Sequence, residues 1–249
     1  MLNLGISLTK KSSINSLDPS SILFEDNHLL VVNKAPGQLV QGDKTGDVPL
    51  VDLAKAYVKT KYNKPGEVFL GVVHRLDRPT SGVLVFARTS KALSRLNEQF
   101  KSREAKKIYW AIVEGTKVPK QQRLKHWLVR NSKQNKSYAH KKEIANSKEA
   151  RLSFQLHHSL DRYSCLEIKL DTGRHHQIRA QLSFEGHIIK GDLKYGAARS
   201  NKDGSICLHA RSLEILHPVK KEAIKWTAAP PKDVLWLACV AADSSRTLP

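Results

Sequence analysis

Apolar residues fall in short runs separated by polar breaks marked with Gly and Pro. Leu29 to Val32 is such a run, closed by the turn signal Asn33-Lys34-Ala35-Pro36-Gly37. Leu53, Ala54, Tyr57 and Val58 recur at helical spacing and predict a helix over 51–62. Residues 69–73 and 83–87 are continuously apolar and read as buried strands, with a polar loop at 74–82 pinned by Pro79 and Gly82. Thr89 or Ser90 can cap a helix running to about Arg103, with Ala92, Leu93, Leu96 and Phe100 on one face. Residues 108–113 read as a strand, while 117–150 are basic and turn-rich, suited to one or two hairpins with a mobile tip. Residues 152–156 and 165–170 alternate as half-buried strands do. A helix is predicted over 175–185, with Ile178 and Leu182 inward and Gly186 as its stop. Short strands at 206–210 and 213–216 follow, and Pro230-Pro231 precedes a last helix from about 233 to 242. Strands outnumber helices and do not alternate with them. That argues an α+β fold with a mixed or antiparallel sheet rather than a doubly wound one.

Composition narrows the class. The chain has 249 residues and three scattered cysteines, Cys165, Cys207 and Cys239, with no Cys-x-x-Cys pair. They read as buried thiols in a reducing, cytoplasmic setting. No run approaches the 18 or so apolar residues that would suggest a membrane span. The stretch from Leu2 to Leu8 is too short and broken for a signal peptide.

Charge adds more. The formal net charge is +19. Residues 101–151 hold 15 basic residues against 4 acidic ones, a surplus of 11 in about a fifth of the chain. A clustered surplus is either a solvated basic surface or the footprint of a polyanion, and its concentration favours nucleic acid. Lys133, Lys136, Lys141 and Lys142 are the candidate phosphate contacts in this stretch. There is no Gly-x-Gly-x-x-Gly or Walker pattern, so nucleotide-driven chemistry has no support. His175, His176, His187 and His209 lack a ligand spacing, so no metal is expected.

Three segments could carry chemistry. His74-Arg75-Leu76-Asp77-Arg78-Pro79-Thr80-Ser81-Gly82 sets one carboxylate among arginines between two buried strands. The same spacing also suits a tight connection in which Asp77 makes an Asx-turn. Thr172-Gly173-Arg174-His175-His176-Gln177-Ile178-Arg179 runs a Gly turn into a helix start, where free N–H groups attract anions. An ordinary capped basic helix is the plainer reading. In Lys107-Ile108-Tyr109-Trp110-Ala111-Ile112-Val113-Glu114-Gly115, Tyr109 and Trp110 must face opposite sides of a strand.

Together these blocks resemble RNA pseudouridine synthases of the RluA type. The resemblance begins with Glu25-Asp26 and Leu29-Leu30-Val31-Val32-Asn33-Lys34, then His74-Arg75-Leu76-Asp77 with Thr80-Ser81-Gly82. Lys107-x-Tyr109-x-Ala111-x-Val113-x-Gly115 and Leu170-x-Thr172-Gly173-Arg174-x-His176-Gln177-Ile178-Arg179 follow, the latter continuing to Gly186, Gly191-Asp192 and Tyr195-Gly196. Leu208-His209-Ala210 with His217-Pro218 closes the series, so the likeness covers roughly 22–240. Lys34-Ala35-Pro36-Gly37 and Val40-Gln41-Gly42 depart from the family's usual Lys-Pro-x-Gly and His-Pro, within a loop.

The resemblance implies a central mixed, mainly antiparallel sheet flanked by helices, in two lobes around a catalytic cleft. The polar residues 1–20 read as a flexible tail, and the resemblance implies one catalytic domain over 21–249, without a separate S4-type RNA-binding domain. The implied reaction converts uridine in ribosomal or transfer RNA to pseudouridine, by a monomer and without cofactor. On the same resemblance Asp77 is the nucleophile, Arg174 its ion-pair partner and Tyr109 the aromatic group beside the target base. Arg75 would hold the flipped state, and His74, Thr80, Gln177 and Arg179 would bind substrate. A carboxylate can serve as nucleophile if a neighbouring arginine favours its charged form. The competing expectation is a noncatalytic RNA-binding or ribosome-assembly protein that keeps the fold.

Overall fold

The computed structural model describes residues 16–246. In chain order the strands are β1 (Ile22–Glu25), β2 (Leu29–Lys34), β3 (Gly71–Val72), β4 (Ser81–Ala87), β5 (Lys106–Glu114), β6 (Gln121–Asn131), β7 (Lys136–His140), β8 (Lys148–Ser159), β9 (Tyr163–Leu170), β10 (Leu208–Leu216) and β11 (Ala223–Thr227). The helices are α1 (Leu50–Lys61), α2 (Ser90–Ser102), α3 (Gln177–Phe184) and α4 (Val234–Arg246). All strands join one sheet, ordered β1-β2-β4-β10-β5-β9-β8-β6-β7, with β11 beside β10 and β3 beside β4. The β4–β10 pair is parallel and the other pairs are antiparallel. The expected α+β class with a mixed, mainly antiparallel sheet is therefore observed.

Helices on both faces explain the continuous apolar strands. Leu30, Val32, Leu84 and Phe86 enter one core with Leu53 and Ala54 of α1, Ile178 and Leu182 of α3, and Trp236 of α4. Their neighbours Leu29, Val31, Val83 and Val85 enter a second core with Ala92 and Leu96 of α2 and Trp226 of β11. A strand buried on both sides has no polar face to show. Thr89 caps α2 as expected, its hydroxyl accepting from Ala92 N at 3.1 Å.

Several predicted elements differ. Residues 117–150 do contain a hairpin, β6–β7, but also the start of β8, which runs Lys148–Ser159 rather than the predicted 152–156. The two predicted strands at 206–210 and 213–216 are one strand, β10, interrupted by a bulge between Ala210 and Ser212 against β5. The predicted strand at 69–73 forms ladder pairs only at Gly71 and Val72. Strands β1 and β11 were not anticipated. Residues 1–15 of the expected tail lie outside the described residues. Leu17, within that tail, is buried and donates its N–H to Leu53 O at 3.2 Å.

The parallel pair brings the 74–82 loop into the centre of the molecule. Gly82 has φ +119°, and a Cβ there would lie 2.3 Å from the Ala210 carbonyl oxygen. Only glycine permits that approach. Beside it, Ser81 Oγ lies 2.9 Å from His209 Nδ1, and His209 Nε2 lies 3.1 Å from Ala228 O. His209 is pushed down to about 4 by burial, its bond to Ala228 working the other way. The neutral ring donates from Nε2 to the carbonyl and accepts the Ser81 hydroxyl at Nδ1.

Candidate active site

Asp77 sits on the loop between β3 and β4. Its carbonyl accepts from Thr80 N at 3.0 Å, which closes a turn. Its side chain makes no Asx-turn bond among the described residues, so the plainer reading of this loop fails. Lys34, only 1% exposed, donates to the carbonyls of Thr80 at 2.6 Å, Ala35 at 3.0 Å and Arg78 at 3.2 Å. Burial pushes its ammonium down to about 7, with the Asp77 charge opposing. Arg78 Nε donates to Gly37 O at 3.0 Å while Gly37 N donates to Arg78 O at 2.8 Å. The first motif loop and the Asp77 loop are thereby fastened together.

The carboxylate meets an arginine from α3. Arg179 Nη1 donates to Asp77 Oδ2 at 2.8 Å. Its Nε and Nη2 donate to Asp192 Oδ2 at 2.7 Å and Oδ1 at 2.8 Å, a bidentate pair on a carboxylate that is 1% exposed. Nη1 also lies 3.1 Å from His176 Nε2. A guanidinium only donates, so His176 Nε2 must accept and Nδ1 carries the proton. Nδ1 then donates to Tyr195 Oη at 3.0 Å. Tyr195 Oη also accepts from Ser137 N at 2.8 Å and donates to Ser137 O at 3.1 Å. The network from Asp77 to Ser137 is closed and has one consistent set of protons. His176 is pushed down to about 3, mainly by burial, with Asp77 opposing and Arg179 assisting. It is a neutral buttress behind Arg179.

Arg174 does not form the expected ion pair. Its Nε donates to Glu149 O at 3.0 Å and its backbone N to Gln177 Oε1 at 2.9 Å. The cause is local: His176 takes a left-handed φ of +52°, so α3 begins at Gln177 rather than at 175. The helix face is set by that start, and Arg179, not Arg174, points at Asp77. Arg174 lines the cleft nonetheless, together with Asp77, Tyr109 and Arg75. His175 also precedes the helix, with its ring stacked on His176 at 3.8 Å and its Nδ1 2.9 Å from Ser137 Oγ.

The other anticipated substrate contacts divide. Gln177 is committed to bracing the loop: its Oε1 accepts from Thr172 Oγ1 at 2.8 Å and from Arg174 N, and its Nε2 donates to Arg151 O at 3.0 Å. His74 turns Nε2 inward to accept from Val85 N at 3.2 Å and stacks on Phe100 at 4.8 Å. Burial pushes it down to about 3, so it is neutral. Thr80 is buried and its Oγ1 has no hydrogen-bond partner among the described residues. Arg75 is exposed at the cleft mouth. Tyr109 is 9% exposed and held on β5, and burial, with Asp77 nearby, pushes its phenol upward. It is a neutral aromatic wall. Lys136, anticipated as a phosphate contact, places its ammonium over the Tyr195 and Tyr138 rings at 5.0 and 5.3 Å.

Asp77 opens on a cleft of about 540 Å³ whose wall carries Arg75, Lys101, Arg103, Lys107, Arg130 and Arg174. This wall suits a phosphate backbone and the carboxylate suits nucleophilic attack. Sequence reasoning missed the roles of Lys34, Asp192 and Tyr195. Asp192 and Tyr195 stand in a quoted motif, but no spacing rule reveals that they brace Arg179. Among the described residues, no group of three His, Cys, Asp or Glu could hold a metal ion, and no helix is long and apolar enough to cross a membrane.

The chain is similar to several known proteins. Residues 28–184 match the RNA pseudouridylate synthase family. An uncharacterized RNA pseudouridine synthase of Synechocystis sp. is 33% identical over 86% of this chain and 66% of its own length. Ribosomal large subunit pseudouridine synthase D of Xylella fastidiosa is also 33% identical, over 91% of this chain and 71% of that protein. The chain thus spans about two thirds of the length of these relatives, slightly less in the first case. The solved structure of human RNA pseudouridylate synthase domain containing 4 superposes with a TM-score of 0.73, at 25% identity, covering 90% of this chain and 92% of that one. The chain belongs to the RNA pseudouridylate synthase family, enzymes that isomerise uridine in RNA to pseudouridine.

Proposed function

We propose that this protein isomerises specific uridines in structured RNA, ribosomal or transfer, with Asp77 as the nucleophile. The observation that carries the reading is the state of the Asp77 carboxylate. Oδ2 is held by Arg179, whereas Oδ1 has no hydrogen bond among the described residues and the group borders the basic cleft. One oxygen is anchored and the other is available for attack.

The reaction moves a bond within one nucleotide. The C1′–N1 bond breaks, the freed base turns, and C1′ bonds to C5. The C5 proton is lost and N1 takes one up, so substrate and product are isomers and no redox partner is needed. Asp77 supplies the nucleophile that carries the fragment through this exchange. To reach it the uridine must leave the stack, at a cost of a few kcal/mol, roughly. Stacking on Tyr109 returns about 1–3 kcal/mol of that cost. Arg75, at the mouth, holds the flipped strand, and Arg174 faces the same substrate from the opposite loop.

The names of relatives such as ribosomal large subunit pseudouridine synthase D favour ribosomal RNA as the substrate. Mapping pseudouridines in total RNA from cells with and without the gene tests this reading. Loss of defined sites in ribosomal or transfer RNA is expected. An unchanged map, with RNA binding by the purified protein intact, would favour a noncatalytic RNA-binding or ribosome-assembly role.

A further inference from the structure

Lys106 and Lys107 are neighbours on β5 with opposite fates. Lys106 points away from the cleft, is exposed, and pairs with Glu214 at 2.6 Å. Lys107 is half-buried in the cleft wall and has no carboxylate in ion-pair range among the described residues, although Asp171 shares that wall. Its ammonium lies 5.7 Å from the Phe100 ring centroid. The loop before α3 runs past it, so that a Cβ on Gly173 would lie 3.7 Å from Nζ. Burial pushes this ammonium down, and no neighbouring charge opposes the shift.

Withdrawing a cation from water without a counter-charge is unfavourable, and an apolar side chain of similar size would suit such a wall better. Tyr109 lies two residues further along the same strand face, about 6.5–7 Å away. That is the order of distance between a nucleotide's base and its own phosphate. We propose that Lys107 is an RNA phosphate-binding residue, taking the phosphodiester of the nucleotide whose base stacks on Tyr109. The inference rests on the cleft's being an RNA site, as proposed above. The missing counter-charge is then supplied by substrate.

The test compares wild type, Lys107→Met and Lys107→Arg. Binding of a fluorescein-labelled single-stranded oligouridylate is measured over a series of KCl concentrations, beside thermal midpoints. For Lys107→Met the log–log salt slope should shrink by about 0.7, the value for one single-strand contact. Its affinity at low salt should fall several-fold. Its thermal midpoint should equal or exceed that of wild type, because a poorly compensated charge has been removed. Lys107→Arg should restore most of the slope. Wild-type slope and affinity in Lys107→Met would overturn the inference while leaving the isomerase reading intact. A lowered midpoint with an unchanged slope would make Lys107 a structural residue and overturn it too. Wild-type protein that binds neither the oligouridylate nor total RNA would contradict the preceding reading, and this one with it.

Discussion

Arg179 and Asp77 are joined by a 2.8 Å ion pair across 102 residues of sequence. The pair is directional because Asp192 occupies the other edge of the guanidinium. Arg179 therefore cannot rotate away from Asp77 without abandoning a buried carboxylate. Removing it should cost stability as well as activity. Arg179→Ala strands Asp192 and should destabilise the fold by about 3–5 kcal/mol, the usual cost of breaking a buried pair. Arg179→Lys, a single-point donor, cannot span both carboxylates and should rescue little. Arg174→Ala loses one side-chain hydrogen bond at a half-buried position and should cost no more than about 1.5 kcal/mol. Urea unfolding of the variants checks this. Equal losses for Arg174→Ala and Arg179→Ala would contradict the assignment of Arg179 as the anchor.

Gly82, at the end of the Asp77 loop, is a second point of sensitivity. Its φ of +119° and the 2.3 Å approach of an added Cβ to Ala210 O leave no room for alanine. Gly82→Ala should cost about 1–3 kcal/mol in backbone strain and about 1–3 kcal/mol in overpacking. The strand pair would also separate and carry the Asp77 loop with it. Activity should therefore fall even in the fraction that remains folded. A Gly82→Ala protein with wild-type stability would show that the β4–β10 contact is looser than described.

Two buried histidines, His176 and His209, and the half-buried His74 give stability a defined pH dependence. His74 and His176 are pushed down to about 3 and His209 to about 4, in each case mainly by burial. The unfolded chain takes up these protons near pH 6.5, well before the native state does. Between pH 6.5 and about 4 the unfolded state binds more protons, so stability falls as pH falls. Each histidine contributes at most about 1.4 kcal/mol per pH unit in that window. Urea unfolding between pH 6.5 and 5, above the ordinary carboxylate range, should show this decline, and His209→Gln should reduce its slope. A flat profile would mean that these rings are charged in the native protein.

The parts of the fold legible in the sequence are those where neighbouring residues carry the signal. Runs such as Val83 to Ala87 announce a strand covered on both faces, and Thr89 announces the start of α2. The β6 strand was harder to see. Its inward positions are Leu124, His126 and Leu128, and the central one is polar. His126 is buried because Gln181 Nε2 and Glu185 Oε1 each lie 3.0 Å from its ring nitrogens, partners from a distant helix. The β10 bulge and strand β11 depend likewise on pairing across the sheet. Asp77, Tyr109 and Arg75 were recognisable as motif residues and do line one cleft. The choice between Arg174 and Arg179 was not recognisable, because it turns on the left-handed backbone of His176. Histidine visits that region only occasionally, and here the reversal is stabilised by Tyr195 and Arg179 from either side of its ring.

The central claim is that Asp77 performs the chemistry, and release of label from C5 of uridine measures it most directly. Substrate RNA carrying tritium at C5 is mixed with excess enzyme under single-turnover conditions. Formation of the C1′–C5 bond expels the label into water. Wild-type protein should release it, and Asp77→Asn should release none while keeping its fold and near-normal RNA affinity. Asparagine preserves size and much of the hydrogen bonding but cannot act as a carboxylate nucleophile. Tritium release by Asp77→Asn at the wild-type rate would contradict the account.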